Sequence, residues 1–129
     1  MSVLILLVDD DRDFLEMNRG ILEAGGFQVD CYTDTDTAWE SMEKRKPDLV
    51  ITDLMMKSLN SGFSLARKIK SDPRFADLPV IIVTAVASKR GFDFNPQSQA
   101  ELEVMGCEAY FDKPVSPDLL IAKVKELLS

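Results

Sequence analysis

The sequence predicts an α/β fold in which a parallel sheet of five strands lies between helices on both of its faces. Two observations support this prediction. Short apolar runs rich in β-branched residues alternate along the chain with longer segments of helical periodicity. The runs also lack any alternation of polar and apolar residues, which is typical of strands buried on both sides of a parallel sheet. Because crossovers between parallel strands are right-handed, five such βα units favour a doubly wound sandwich.

The individual elements follow from these runs and from the residues between them. The predicted strands are residues 3–8, 29–32, 49–52, 80–83 and 109–111. The predicted helices are residues 11–24, 35–45, 61–71, 97–105 and 117–128. Gly25 and Gly26 follow the first helix, and Gly106 follows the fourth, where a C-terminal cap belongs. Ser116 and Pro117 supply an N-cap and a first-turn proline for the fifth helix.

The composition excludes several classes of function. The chain has no histidine, which excludes Ser-His or Cys-His catalysis, His-ligated zinc and phosphohistidine donation. The net charge is −7, and the longest run of Lys and Arg is the three residues 44–46. Both features argue against nucleic acid as a direct partner. Cys31 and Cys107 lie far apart without CxxC spacing, so we expect two separate thiols. The remaining chemistry must depend on carboxylates.

We expect no targeting or membrane-spanning segment in this sequence. The apolar run at residues 3–8 is too short to span a bilayer, lacks a basic lead-in and is followed by three aspartates. We therefore expect a cytoplasmic protein without membrane association. A length of 129 residues suits one domain with its own hydrophobic core.

Side chains that can carry chemistry follow four of the predicted strands. Asp9 and Asp10 follow the first strand, Asp53 the third, Thr84 the fourth and Lys113 the fifth. The carboxyl ends of parallel strands meet at one edge of a doubly wound sheet, where ligands bind. We therefore expect these five residues to converge.

Three converging aspartates would repel one another unless a cation lies among them. A donor set of oxygens, without histidine or thiolate, favours Mg²⁺. Together Mg²⁺ and Lys113 would neutralise the three carboxylates, and a neutral pocket of this kind suits an incoming phosphoryl group. One of the carboxylates can then act as the nucleophile and form an aspartyl phosphate.

Other conspicuous residues are explained by structure rather than by chemistry. Asp11 suits the N-cap of the first helix, and Asp13 suits its first turn, where negative charge is stabilising. Trp39 and Met42 are interpreted as packing residues of the second helix.

Four motifs of the chain resemble, in order, those of response regulator receiver domains, and the chain is similar to the single-domain, chemotaxis-regulator-like members. The motifs are LVDDD at residues 7–11, VITDLMM at 50–56, VTA at 83–85 and YFDKP at 110–114. The resemblance extends over essentially the whole chain. It implies the flavodoxin-like sheet order 2-1-3-4-5, and a single receiver domain over residues 1–129 without an output domain.

The resemblance also implies a metal site and a phosphorylation site. Asp53 would accept the phosphoryl group. Mg²⁺ would be bound by Asp9, Asp10, Asp53 and the backbone carbonyl of Met55, with Asp10 the more direct ligand of the acidic pair.

In this family the phosphoryl group arrives from a histidine kinase or a histidine phosphotransfer protein and switches the binding of a downstream target. The resemblance implies that Thr84 and Lys113 bind the phosphoryl oxygens and that the rotamer of Tyr110 follows the movement of Thr84. Family members bind their targets through the fourth helix, the fifth strand and the fifth helix. We expect a monomer or a phosphorylation-dependent dimer, with no direct nucleic-acid partner.

The chain departs from the family pattern in two places. Lys57 stands where the family usually has a proline after the phosphoacceptor, and Gly62 arrives one residue late. The segment between the fourth and fifth strands is longer than receivers commonly have, and Phe92 and Phe94 lie in its candidate inserted loop, residues 87–96. We hypothesise that this loop contributes to partner choice.

Two other functions stay open at this point. A Mg²⁺-dependent phosphohydrolase with an aspartate nucleophile would use the DxD spacing of Asp9 and Asp11, but it would need a longer chain and would leave Asp53 unexplained. A degenerate receiver would act as a protein-binding module independent of phosphorylation. Our preferred interpretation is a signalling protein that assists only its own phosphorylation and dephosphorylation and is not otherwise an enzyme.

Overall fold

A computed structural model describes residues 3–53, 61–84, 107–112 and 115–128, with side chains at all of these except 61–64, 84 and 112. The strands in these segments are β1 (Leu4–Val8), β2 (Gln28–Tyr32), β3 (Leu49–Thr52), β4 (Val80–Thr84) and β5 (Ala109–Asp112). The helices are α1 (Arg12–Ala24), α2 (Thr35–Lys44), α3 (Ser61–Ser71) and α4 (Pro117–Leu128). No helix within the described segments is both long and apolar enough to cross a membrane.

The five strands form one parallel sheet in the order β2-β1-β3-β4-β5. This order and the α/β class confirm the predicted fold. The observed bounds of these nine elements differ from the predicted ones by at most one residue at each end. The helix predicted over residues 97–105 lies outside the described residues, so the last helix is called α4 here.

The core consists of two layers, one on each face of the sheet. Side chains alternate along each strand, so Leu6 and Val8 of β1 belong to one layer and Ile5 and Leu7 to the other. Helices α2 and α3 cover the first layer, while α1 and α4 cover the second. Every residue of β1 and β3 is buried. Burial on both faces therefore accounts for the unbroken apolar runs of the sequence.

Two acidic side chains fix the register of the sheet at the amino ends of its strands. Asp48, just before β3, accepts a hydrogen bond from the backbone N–H of Leu4 at 2.8 Å. Glu108, just before β5, accepts one from the N–H of Val80 at 2.7 Å. The ammonium of Lys70 also donates to Glu108. Because each carboxylate binds the first N–H of the neighbouring strand, it satisfies a donor that the ladder leaves unpaired.

Trp39 and Met42 are packing residues and the two cysteines are separate thiols, as predicted. Met42 is buried, and the half-buried Trp39 makes an edge-to-face contact with Phe75 at 5.4 Å between ring centroids. Cys31 and Cys107 are free thiols. Burial raises the pKa of Cys107 to about 12, which keeps this thiol protonated and unreactive at neutral pH.

Helix α1 ends in the glycine pair that the sequence predicts as its cap. The N–H of Gly26 donates to the carbonyl of Glu23 at 3.0 Å, and the N–H of Phe27 donates to the carbonyl of Leu22 at 3.2 Å. This pair of bonds is a Schellman motif, which requires a left-handed residue in the position after the cap. Gly26 has a φ of 96°, so it is the residue that meets this requirement.

A pair of glycine substitutions in and after α1 tests this account of its C-terminus. We expect Gly26→Ala to lower the free energy of unfolding by about 1 kcal/mol, because a Cβ disfavours left-handed backbone. Gly20→Ala should instead stabilise the protein by up to about 1 kcal/mol, since a helix interior favours alanine and an added Cβ at position 20 meets nothing within 4 Å. Urea unfolding measures both changes. Equal effects of the two substitutions would contradict the account.

Candidate functional site

The two strands at the centre of the predicted site end side by side. Val8 of β1 is paired with Thr52 of β3, so Asp9 and Asp53 are the next residues on adjacent strands. The N–H of Asp53 donates to the carbonyl of Val8 at 3.0 Å, and the N–H of Asp9 donates to the carbonyl of Tyr32 at 3.1 Å. The backbones of both aspartates are therefore fixed by the sheet.

The carboxylates of Asp9, Asp10 and Asp53 form a cluster at this edge of the sheet. One carboxylate oxygen from each residue lies within 4.8 Å of those from the other two. Asp9 is fully buried and Asp53 is 7 % exposed, whereas Asp10 is exposed. The structure thus brings together the three acids that the sequence predicts to converge.

This cluster is electrostatically unfavourable by itself. Two carboxylates about 5 Å apart repel each other by on the order of 3 kcal/mol at the effective dielectric constant typical of proteins. Burial adds a desolvation penalty for Asp9 and Asp53. A divalent cation relieves both costs, and carboxylate oxygens without nitrogen or sulfur ligands fit Mg²⁺. Asp9, Asp10 and Asp53 are therefore the residues that could hold a metal ion here.

The carboxylate of Asp9 is oriented by the turn that leads into α1. Its Oδ1 accepts a hydrogen bond from the backbone N–H of Asp11 at 2.9 Å. Oδ1 of Asp11 in turn accepts from the N–H groups of Asp13 at 3.0 Å and Phe14 at 3.3 Å. Asp11 is the N-cap of α1, and Asp13 lies in its first turn, which confirms the structural roles predicted for both.

The bond between Asp9 and Asp11 was not predicted from the sequence. An aspartate commonly accepts from the N–H two residues further along the chain, in an Asx turn. The D-x-D spacing at residues 9 and 11 carries that signal. The sequence predicts Asp9 as a metal ligand and Asp11 as the helix cap, without a hydrogen bond between them.

The other predicted site residues are placed only in part. Thr84 is the last residue of β4, at the same edge of the sheet as Asp53, and its Cα partner on β5 is Asp112. Tyr110 of β5 is half-buried and packs against the core layer under α2 and α3. The remaining predicted residues lie outside the described part of the chain: Met55, Lys57, Phe92, Phe94 and Lys113.

Comparison with known proteins identifies similar sequences along nearly the whole chain. The family model described as "Response regulator receiver domain" matches residues 5–125. The response regulator Rre1 of Synechocystis is 36% identical over 126 residues, which are 97% of this chain and 51% of that protein. The polar-differentiation response regulator DivK of Brucella anthropi is 27% identical over 96% of this chain and 94% of its own length.

A solved structure shows the same architecture. The CheY-like response regulator receiver domain protein of Methanospirillum hungatei superposes with a TM-score of 0.80 at 26% identity, covering 99% of this chain and 94% of the other. The chain spans about half the length of Rre1 and of similar curated relatives. That residues 1–129 form a single domain without an output domain stays a prediction.

Mg²⁺ should stabilise the folded protein through the three clustered carboxylates. At a concentration ten times the Kd, a ligand that binds only the folded state contributes about 1.4 kcal/mol. We expect MgCl₂ to raise the Tm of the native protein measured by calorimetry, and to have little effect on Asp53→Asn. The matched control is Asp36→Asn, which removes the same charge from the first turn of α2 and should keep the response. An equal rise in Tm for all three proteins would show that Mg²⁺ acts elsewhere.

Proposed function

The chain belongs to the response regulator receiver domain family, and from this premise we propose that Asp53 accepts a phosphoryl group in a two-component or phosphorelay signalling pathway. The observation that carries this proposal is the carboxylate cluster, whose oxygens lie within 4.8 Å of one another at the ends of two adjacent strands. Only Asp9 and Asp53 of this cluster are buried. Asp10 is exposed, so the cluster borders solvent, from which a phosphoryl donor can approach.

In the proposed reaction the carboxylate of Asp53 is the nucleophile. One of its oxygens forms a bond to phosphorus while the bond from phosphorus to the histidine nitrogen of the donor breaks. The leaving nitrogen keeps the electron pair of that bond and is protonated. The hydrogen bond from the N–H of Asp53 to Val8 holds the nucleophile at the end of β3 throughout.

The other proposed residues serve to neutralise negative charge around the nucleophile. Asp9, Asp10, Asp53 and the backbone carbonyl of Met55 would hold Mg²⁺. When bound, Mg²⁺ supplies positive charge that neutralises the carboxylates and the phosphoryl oxygens. We assign Lys113 to pair with the same phosphoryl oxygens once they are attached to Asp53.

The phosphorylated state would be recognised through β4 and β5. We assign Thr84, at the end of β4, to donate a hydrogen bond to a phosphoryl oxygen. Tyr110 lies on the adjacent strand, paired with Ile82, and its side chain would change rotamer with the movement of Thr84. Phosphorylation would replace a carboxylate of charge about −1 with an acyl phosphate of charge about −2, and the added charge and acceptor oxygens at one strand end can bias nearby loops between two arrangements.

The partners follow from the proposed chemistry. The proposed donor is a histidine kinase or a histidine phosphotransfer protein, as membership of the receiver family implies, and the donating histidine is not among the 129 residues of this sequence. A downstream target would bind the switched surface, with Phe92 and Phe94 as candidate contacts. The protein would then be a cytoplasmic signalling protein, monomeric or dimeric on phosphorylation, that does not catalyse turnover of an external substrate.

The structure bears on both alternative functions. A phosphohydrolase that used the D-x-D spacing would need the Asp11 carboxylate for catalysis, but its Oδ1 caps α1. A degenerate receiver would not need the carboxylates of Asp9, Asp10 and Asp53 to lie together, as they do. Both observations favour the phosphoacceptor.

Intact-mass spectrometry tests the proposed phosphorylation. With acetyl phosphate and MgCl₂, we expect the native protein to gain the mass of one phosphoryl group. Asp53→Asn should gain none, because an amide is not a nucleophile for phosphorus, and omission of MgCl₂ should largely abolish the gain. Asp48→Asn, which changes an aspartate at the opposite end of β3, is the matched control and should be phosphorylated normally.

Three results would contradict the proposal. Absence of any mass gain with acetyl phosphate and with histidine-phosphorylated donors would favour the degenerate receiver. A gain that survives Asp53→Asn would place the phosphoryl group on another residue. Turnover of an external phosphate ester would support the phosphohydrolase.

A further inference from the structure

We propose that Asp11 is a positioning residue for the metal site: by capping α1, it holds the backbone N–H that orients the Asp9 carboxylate for Mg²⁺. This inference rests on the proposed function, because it assumes that the cluster of Asp9, Asp10 and Asp53 binds Mg²⁺. It extends that function by giving Asp11 a role through its hydrogen bonds and not as a ligand.

The first step is the contact between Asp9 and Asp11. Asp9 is fully buried, and its Oδ1 accepts from the N–H of Asp11 at 2.9 Å. This donor restricts rotation of the carboxylate and partly compensates its negative charge. A metal ligand that is held by an outer hydrogen bond loses less conformational freedom when the ion binds.

The second step is the dependence of that N–H on the helix cap. Asp11 has φ −87° and ψ 104°, the extended conformation of an N-cap. Its Oδ1 accepts from the N–H groups of Asp13 and Phe14, and its backbone carbonyl accepts from Leu15 at 3.1 Å. These three bonds join Asp11 to the first turn of α1. Without the side-chain cap the first turn frays, and the N–H of Asp11 is no longer fixed opposite Asp9.

The third step separates the cap from the charge. The Asp11 carboxylate is exposed and adds negative charge near the cluster, which by itself would favour a cation. Asparagine caps helices about as well as aspartate but carries no charge, whereas alanine provides neither cap nor charge. Comparison of Asp11→Asn with Asp11→Ala therefore isolates the hydrogen bonds, because both variants lack the charge.

The experiment is a Mg²⁺ titration of the full chain, followed by the amide resonances of residues 9–13 in NMR spectra. We expect the Kd for Mg²⁺ of Asp11→Ala to exceed that of Asp11→Asn by about tenfold or more, in line with the loss of other outer partners of metal ligands. In the metal-free protein, the backbone amide proton at position 11 should have nearly the native chemical shift in Asp11→Asn. In Asp11→Ala it should move upfield, because loss of the hydrogen bond shields the proton.

A second helix supplies the control for general loss of stability. Asp34 is the N-cap of α2, and its Oδ1 accepts from the N–H of Thr37 at 2.7 Å. Asp34→Ala removes a comparable cap that does not belong to the carboxylate cluster. We expect it to lower the urea midpoint of unfolding as Asp11→Ala does, but to leave the Kd for Mg²⁺ within twofold of the native value, roughly the spread of independent sites.

Each outcome decides the proposal. Equal Kd values of Asp11→Ala and Asp11→Asn for Mg²⁺ would overturn it. A Kd of Asp34→Ala for Mg²⁺ more than twofold above the native value would also overturn it. If Asp11→Ala does not fold, Asp11→Gly replaces it, since glycine also lacks the side-chain cap but costs little stability at this position. Failure of the native protein to bind Mg²⁺ would overturn the metal role in the proposed function as well, whereas native binding with no Asp11 effect would overturn this inference alone.

Discussion

The repulsion between the carboxylates of Asp9 and Asp53 is the constraint on which this site depends. Both side chains are almost completely buried, and adjacent strands hold their backbones through bonds to Val8 and Tyr32. The sheet therefore fixes the separation of the two backbones, so only rotation of the side chains can change the distance between the carboxylates. The apolar core on both faces of the sheet stabilises the strands that hold the two aspartates, and an added cation or a change in charge acts directly on the repulsion between their carboxylates.

The fold could be predicted from the sequence because strong local patterns specify it. Unbroken apolar runs identify buried parallel strands, and the Gly25-Gly26 pair marks the end of α1. The cluster could be predicted as well, since Asp9 and Asp53 follow strands whose carboxyl ends meet at one edge. Each of these features depends on residue type and order along the chain.

The contacts that orient the site could not be predicted in the same way. The bond from the Asp11 N–H to Asp9 depends on the exact turn between β1 and α1, and the carboxylates of Asp48 and Glu108 depend on which strand lies beside them. Such bonds are set by backbone geometry in three dimensions and not by local propensity. The roles assigned to Lys113, Met55, Phe92 and Phe94 stay predictions, because these residues lie outside the described part of the chain.

A double-mutant cycle between Asp9 and Asp53 measures the central interaction directly. Urea unfolding of the native protein, Asp9→Asn, Asp53→Asn and the double variant gives the coupling free energy, first in EDTA and then in saturating MgCl₂. In EDTA we predict an unfavourable coupling on the order of 1 kcal/mol or more, as expected for like charges in contact, and in MgCl₂ a reversal of its sign. A coupling near zero in both conditions would contradict the account.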